Sequence, residues 1–393
     1  MKNISVTYDA KTNTPYVDKK KWFWMLSILY PLEGLLGIFL HYKTANEYWL
    51  LLPLIIAYCI SPIADWVIGE DKNNPPDTAI SELDNVKYYR ILTYLVIPIH
   101  YAALIILAWW AGTQNLSWWA FIAVAISAGL GSGLGINTGH ELGHKKSQLE
   151  RNLAKLVLAV PAYGHFSIEH NRGHHAHVAT PEDPASSRMG ESIYRFALRE
   201  IPSAFKRAVI IEKNRLDRRG ELFWTTNNQI LQSMAITVTL QVLLIILFGW
   251  IMIPFLVLHN FFAWWQLTSA NYVEHYGLLR KKNADGKYEH CKPHHSWNSN
   301  HIFSNLVLFQ LERHSDHHAH PIRRYQSLKH YPSLPTLPTG YFGCYVMAYF
   351  PWIWFTIMDK KLLELPFING DLSKINIDPK KRRKYYELYS SLK

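Results

Sequence analysis

Cysteine is scarce in this chain: three in 393 residues, Cys59, Cys291 and Cys344, with none near another in sequence. That excludes a disulfide framework and a CxxC knuckle, so redox or metal chemistry falls to other side chains. Acidic residues are short as well, 30 Asp and Glu against 41 Lys and Arg, for a net charge of +11. A nucleic-acid-binding surface would interleave basic residues with aromatics. Here the basic residues flank apolar runs, which sets nucleic acid aside and suits anionic lipid headgroups or an acidic partner protein. Internal repeats and low-complexity tracts are missing, and no small-residue cleavage pattern follows the first apolar run, Trp22 to Leu40. That run reads as a retained membrane span rather than a secretory leader.

A span needs roughly 20 mainly apolar residues, and candidates occur near 22–42, 47–68, 89–112, 117–138, 231–249 and 251–273. The fold class expected is an all-α integral-membrane protein, a six-helix transmembrane bundle carrying a helical, histidine-rich cap. The spans pair into hairpins through short connections around Thr44 to Asn46, Thr113 to Ser117, and Gly249 with Trp250. These connections are nearly free of Lys and Arg, whereas the opposite ends carry Lys19, Lys20, Lys21, Lys72, Lys87, Arg90, Lys145, Lys146, Arg280, Lys281 and Lys282. The positive-inside rule then places both termini and all long loops in the cytoplasm. Trp and Tyr at the ends of the runs agree with interfacial anchoring. The expected division is 1–138 (tail and spans one to four), 139–230 (first cap segment), 231–273 (spans five and six) and 274–393 (second cap segment with a basic tail).

The apolar, aromatic stretch Tyr341 to Met358 could be taken for a seventh span, but Pro351 interrupts it and an odd count would put the tail Lys380 to Lys384 outside. It reads as a buried or interfacial helix. Pro332 to Pro338 reads as an extended connection. Ionisable groups inside the runs are Glu33, Asp65, His100 and His259. Glu33 either lines a polar pocket or makes a helix–helix hydrogen bond; Asp65 is read as a cap or ion-pair partner, and His100 and His259 as structural.

Four segments carry chemistry: His140-Glu-Leu-Gly-His144, His170-Asn-Arg-Gly-His174-His175, Tyr272-Val-Glu-His275 and His314-Ser-Asp-His317-His318. On a helix, residues four apart share a face and those three apart lie beside them, so each multi-His cluster can aim two or three imidazoles at one point. The first cluster continues from the fourth span and His275 follows the sixth, so all four can converge under the bundle. Nine imidazoles are too many for one ion. Neutral imidazole suits Fe, Cu, Zn and Ni, and each ring needs its second nitrogen held, which gives Glu141, Glu169, Asp183, Glu274, Glu312 and Asp316 supporting or bridging roles. Glu141 and Asp316 are the carboxylates singled out as catalytic candidates. Seven further histidines, His165, His177, His290, His294, His295, His301 and His320, complicate the count; the pair His294 and His295, with no third His at i−3 or i−4, is assigned to packing or support, and His320 faces off the ligand stripe.

Two rivals come from other classes. His140-Glu-Leu-Gly-His144 satisfies H-E-x-x-H, the signature of a zinc protease with Glu141 as general base, but that leaves the other clusters unexplained. A metal carrier or transporter would keep its site near the bilayer midplane, whereas these histidines flank the spans at one side.

The motifs NTGHELGHK from Asn137, EHNRGHHAHVATPEDPASSRMGES from Glu169, NYVEHYGL from Asn271 and LERHSDHHAHP from Leu311, with GEDKNNPP and PTLPTGY beyond them, resemble those of the alkane 1-monooxygenases. These are membrane-bound non-haem di-iron hydroxylases related to the fatty acyl desaturases. The resemblance implies a pair of iron ions held by His140, His144, His170, His174, His175, His275, His314, His317 and His318, O2 as co-substrate, and terminal hydroxylation of n-alkanes. It also implies a bacterial inner-membrane location and electrons from rubredoxin, a separate chain reduced by a flavoprotein reductase. Three residues separate His170 from His174, the hydroxylase spacing rather than the shorter desaturase one. Glu312 stands where the family commonly has Gln. Omega-hydroxylation of a fatty acid, acyl desaturation and oxidation of an aromatic methyl are the neighbouring reactions. An apolar chain would enter from the bilayer between the helices, with side chains of the first, second and sixth spans setting its preferred length.

Overall fold

A long apolar run in lipid can satisfy its own peptide groups only as a helix or a closed barrel, and here every run is helical. The computed structural model describes residues 8–9 and 14–390. Five helices are long and apolar enough to cross a membrane: Phe23–Thr44, Glu47–Ile68, Lys87–Thr113, Trp118–Gly143 and Gln229–Phe248. The protein is a multi-pass membrane protein. The sixth expected span does form a helix, Met252–Glu274, but it falls short of the other five in apolarity. Its sequence carries His259, Asn260, Gln266, Thr268, Ser269 and Asn271, and most of these turn inward, with His259, Thr268, Ser269 and Asn271 buried. The sixth helix thus forms where the sequence places it and, among the described residues, stands with a polar interior face beside five clearly apolar helices.

The short connections turn as their residues allow. Ala45 adopts a left-handed φ of 55° and Asn46 caps the next helix by accepting from the Tyr48 N–H at 3.0 Å. Gly249, at φ 84°, closes the last hairpin. Ser117 donates its backbone N–H to Glu47 Oε1 at 2.8 Å, tying the first two connections together. Pro62, which has no N–H to give, follows a π-turn over Ile56–Ile60, and the Ser61 hydroxyl donates to the Ile56 carbonyl at 2.8 Å.

The fourth span is the axis of the bundle. Its glycines let the sixth helix approach closely: a Cβ on Gly129 would sit 2.7 Å from the His259 carbonyl oxygen, and one on Gly133 2.6 Å from the Gln266 side chain. Ser132 Oγ and His259 Nε2 lie 2.8 Å apart, and His259 Nδ1 lies 3.0 Å from Asn260 Oδ1, so His259 fastens two helices, as do many polar groups inside membranes. His100 packs beside Gly135. Glu33 is buried in the first span with one carboxylate oxygen unpartnered. Asp65 acts as a cap, accepting from Ser304 N–H at 2.9 Å and from the Ser304 hydroxyl.

Beyond one end of the bundle lie Gln148–Ala159, Ile193–Asp217 and the segment after Glu274. The two long segments are stitched together: Arg280 donates to the carbonyls of Ala176 at 2.7 Å and Val178 at 2.6 Å, and Met189 N–H donates to Asn376 O at 2.8 Å. The stretch from Tyr341 folds as two helices, Tyr341–Tyr349 and Pro351–Leu363, bent where Pro351 opens the second. Tyr341, Cys344, Trp354 and Met358 are fully buried, so the stretch packs against protein rather than crossing lipid. The proline-punctuated connection lies extended, with Asn298 N–H donating to Pro335 O and Leu337 N–H to Asn298 O.

Gly129→Val is expected to push the fourth and sixth helices apart, costing about 1–3 kcal/mol by overpacking. Thermal unfolding in detergent checks this; an unchanged midpoint would show that the contact does not matter.

Candidate metal centre

The fourth span runs straight into the first histidine cluster, so His140 is carried on its last helical turn and His144 caps it. The second cluster lies on a π-turn, His170–His174, flanked by Phe166–Glu169 and His175–His177. In a π-turn hydrogen bonds run from i to i+5, and such turns occur often at functional sites. The wider turn lets His170 and His175 face one point while His174 faces another. His275 sits just after the sixth helix in a non-helical conformation, φ −126° and ψ 11°. The last cluster occupies a short helix, His314–Ala319.

These residues meet as two groups, each with its donor atoms within 4.8 Å of one another: His140, His144, His170, His175 and His317 in one, and His174, His275, His314 and His318 in the other. The clusters do not each aim at one point, as a plain helical reading expects. The second and last boxes are each split between the groups. The π-turn divides the second, and in the last, His314 and His318, four apart, share a face that His317 leaves.

The nitrogens face one another. His140 and His317 Nε2 are 2.9 Å apart, His175 Nε2 lies 3.1 Å from His170 Nε2, and His317 Nε2 lies 3.3 Å from His175 Nε2. In the second group, His314 Nε2 lies 2.9 Å from His318 Nε2 and 3.2 Å from His275 Nε2. His144 Nε2 and His174 Nε2 are buried with no hydrogen-bond partner. A neutral imidazole has one proton to share, so chains of Nε2 atoms at these distances cannot all be hydrogen-bonded. Converging lone pairs need a cation. Burial, reinforced by the neighbouring rings, holds His144, His170, His175, His275, His314, His317 and His318 well below the ordinary histidine range, so these rings are neutral and their lone pairs available. The donor set therefore fits metal ions with nitrogen ligands.

Around the imidazoles, buried carboxylates are held by cations. Asp183 Oδ2 lies 2.9 Å from His174 Nδ1 and accepts from Ser186 Oγ at 2.7 Å, while Arg207 reaches Asp183 Oδ1 at 2.7 Å and also binds Glu169. Burial would raise the Asp183 carboxyl, but His174, Arg207 and Ser186 together hold it well below the usual range. Glu141 is paired with Lys145 at 2.9 Å. Asp316 binds Arg323 and accepts from Tyr331 OH at 2.8 Å and Lys329 N–H at 2.9 Å. Glu141 and Asp316 thus anchor the segments that carry the imidazoles, and a Glu141 engaged by Lys145 is poorly placed to be a protease base. Glu312 accepts from Tyr341 N–H at 2.6 Å and Asn305 Nδ2 at 3.1 Å.

The seven further histidines named from the sequence stay out of the two groups. His165 packs edge-on against Tyr163 and Phe205, His177 Nδ1 lies 2.9 Å from the Gly173 carbonyl oxygen, and His301 Nδ1 lies 2.8 Å from Ser299 Oγ. His290 and His320 are exposed. Glu289, His294 and His295 form a third gathering of potential donors, but His295 Nδ1 accepts from Lys292 N–H at 2.9 Å. In a neutral ring that leaves the proton on Nε2, which faces Glu289 Oε1 at 3.5 Å, so His295 brings no free lone pair to this gathering.

Several contributors gave no sequence signal. Arg207 is one. Arg313 is another: buried, it donates to the carbonyls of Asp71, Asn73 and Leu328 and to Asn74 Oδ1, which explains why the GEDKNNPP loop sits against the last box. Glu200 is fully buried, accepting from Thr268 Oγ1 at 2.9 Å and Asn271 Nδ2 at 3.3 Å; burial pushes its carboxyl up to about 7.

A narrow cavity abuts the centre. It extends from Tyr30 and Ala57 of the first two spans, past Leu130, Leu134, Leu267 and Phe342, to His140, His170, Glu274 and His314. Its walls are mainly apolar, and it touches imidazoles of both groups. The fourth span, which the sequence did not single out for this, contributes as many lining residues as the sixth helix, five each.

Apolar spans, a paired multi-imidazole centre at their ends and a greasy cavity leading to it define a membrane-embedded metalloenzyme that works on an apolar substrate. Comparison with known proteins agrees. Residues 116–355 match the fatty acid desaturase family. Alkane 1-monooxygenase of Pseudomonas putida is 56% identical over 375 residues, 95% of this chain and 93% of its own. Alkane 1-monooxygenase 1 of Alcanivorax borkumensis is 54% identical over 95% of this chain and 92% of its own. The xylene/toluene monooxygenase hydroxylase component of Pseudomonas putida is more distant, 27% identical over 219 residues, covering 56% of this chain and 58% of its own. The chain belongs to the alkane 1-monooxygenases, an oxidoreductase family of the fatty acid desaturase group.

Two measurements probe this surround. Asp183→Asn is expected to weaken metal affinity roughly 10–100-fold, as loss of an outer partner of a ligating histidine typically does; chelator competition reads it. Glu200 titrates higher folded than unfolded, so between pH 4.5 and about 7 the folded protein holds a proton the unfolded chain lacks, and stability falls as pH rises through that window. Glu200→Gln should flatten this part of the stability profile.

Proposed function

We propose that this protein hydroxylates the terminal methyl of n-alkanes to 1-alkanols, using O2 and electrons delivered by reduced rubredoxin. The observation that carries this reading is that one mainly apolar cavity is lined by Tyr30 and Ala57 of the first two spans and also by imidazoles of both groups. In this reading His140, His144, His170, His175 and His317 hold one iron, and His174, His275, His314 and His318 the other. Iron held there supplies O2 activation and oxidation of an unactivated C–H bond.

The protein's own share is positioning, exclusion of water and control of protons. A hydrocarbon has no polar handle, so Leu130, Leu134, Leu267 and Phe342 hold it by apolar contact and direct its end at His140, His170 and His314. Asp183 fixes the proton of His174 on Nδ1, leaving Nε2 free as a donor. Segments 139–230 and 274–393 form one cytoplasmic cap, the protein lies in a bacterial inner membrane with both termini inside, and rubredoxin approaches the cap. Similarity favours an alkane over an aromatic methyl, since the relative named for xylene and toluene is far more distant.

The test feeds n-alkanes of several lengths to the iron-loaded protein in lipid with rubredoxin, its reductase and NADH. Accumulation of 1-alkanols is expected, and His317→Ala should abolish it while leaving membrane insertion intact. Iron-loaded protein that receives electrons yet oxidises no alkane, or that yields only alkenes or omega-hydroxy fatty acids, contradicts the reading.

A further inference from the structure

Glu274 differs from the cation-paired acids around the centre and from Glu200 and Glu312, which accept hydrogen bonds from Thr268, Asn271, Asn305 and Tyr341. Glu141 has Lys145, Glu169 and Asp183 have Arg207, and Asp316 has Arg323. Glu274, only 2% exposed, has no Lys or Arg ion pair among the described residues. Its Oε1 has no hydrogen-bond partner, and its Oε2 lies 3.3 Å from His314 Nε2. That nitrogen is the one on which His275 and His318 Nε2 also converge, at 3.2 and 2.9 Å. A buried carboxylate without a donor or cation is costly, and an ion at the site is a standard resolution.

The local backbone explains how Glu274 reaches this point. Consecutive residues on a helix point in different directions, but the helix stops at Glu274 and His275 leaves the helical conformation. Trp297 N–H, donating to the Glu274 carbonyl at 2.8 Å, holds that break. His275 therefore joins the four-imidazole group, and Glu274 comes beside its member His314.

We propose that Glu274 is a direct carboxylate ligand to the metal ion held by His174, His275, His314 and His318. This rests on the two-iron reading above. It gives each ion five protein donors, since the other group already offers five imidazoles. It also puts the one anionic donor on the ion of the second group, where otherwise only neutral rings meet a dication. Carboxylate joined with imidazole is a familiar donor set for non-haem iron. Because Glu274 also lines the substrate cavity, its ligation places the negative charge at the cavity wall. The competing partner is Tyr341, whose buried hydroxyl faces the same carboxylate and is itself unpartnered within hydrogen-bond distance.

The test uses full-length protein in lipid, loaded with iron-57, as wild type, Glu274→Gln, Glu274→Asp and Tyr341→Phe. Iron content after a chelator challenge and Mössbauer spectra are read without turnover. In Glu274→Gln, loss of one of two irons, or a changed signal for one with the other intact, is expected; Glu274→Asp should restore the second iron at least partly, and Tyr341→Phe should leave both signals in place. Metal-free Glu274→Gln should unfold at no lower temperature than metal-free wild type, which separates ligand loss from misfolding. Two irons with wild-type spectra in Glu274→Gln overturn the assignment, as does a Tyr341→Phe variant that alone reproduces the iron loss. A wild-type protein that itself fails to hold two irons overturns the two-iron reading and this inference with it.

Discussion

Neutral imidazole nitrogens turned toward one another in a dry interior repel unless a cation lies between them, and nine of them do so here at two points. The rest of the molecule is arranged around that requirement. The fourth span ends in His140 and His144, the sixth ends beside His275, and two segments outside the bundle bring the other six rings against them. Removing the cations would leave the junction between bundle and cap lined by facing lone pairs, so metal binding and the docking of these parts are one event.

The cation-paired acids hold this junction from outside. Arg207 ties Glu169 and Asp183 to a helix farther along the chain, Arg323 holds Asp316, and Lys145, paired with Glu141 in its own segment, donates on to the Ile322 and Arg323 carbonyls. Buried pairs of this kind add little net stability, yet breaking one leaves an uncompensated charge. Their value is geometric: they set where the rings point. The close helix packing at Gly129 and Gly133 does the same for the two spans that carry the first box and His275.

Much of this was legible in the sequence because the signals were periodic or chemical. Apolar run length gave the helices, and histidine spacing gave the four segments that meet. The sixth helix is present as well, but run length alone does not show that its polar residues, His259 and Asn271 among them, are buried. The division of the rings into five and four was not legible. It depends on a π-turn at His170–His174, and an ordinary helical wheel puts His170 with His174 instead of His175. Arg207, Arg313 and Glu200 were invisible because their partners lie far away along the chain, with nothing local to mark them.

The central claim is that the nine imidazoles hold two ions of one kind at the inner end of an apolar cavity, and metal analysis of the protein purified from membranes tests it most directly. Two irons per chain, both lost when His317 and His174 are replaced together, is the predicted result. Stoichiometric zinc with no iron, or a single ion indifferent to His174, would contradict it.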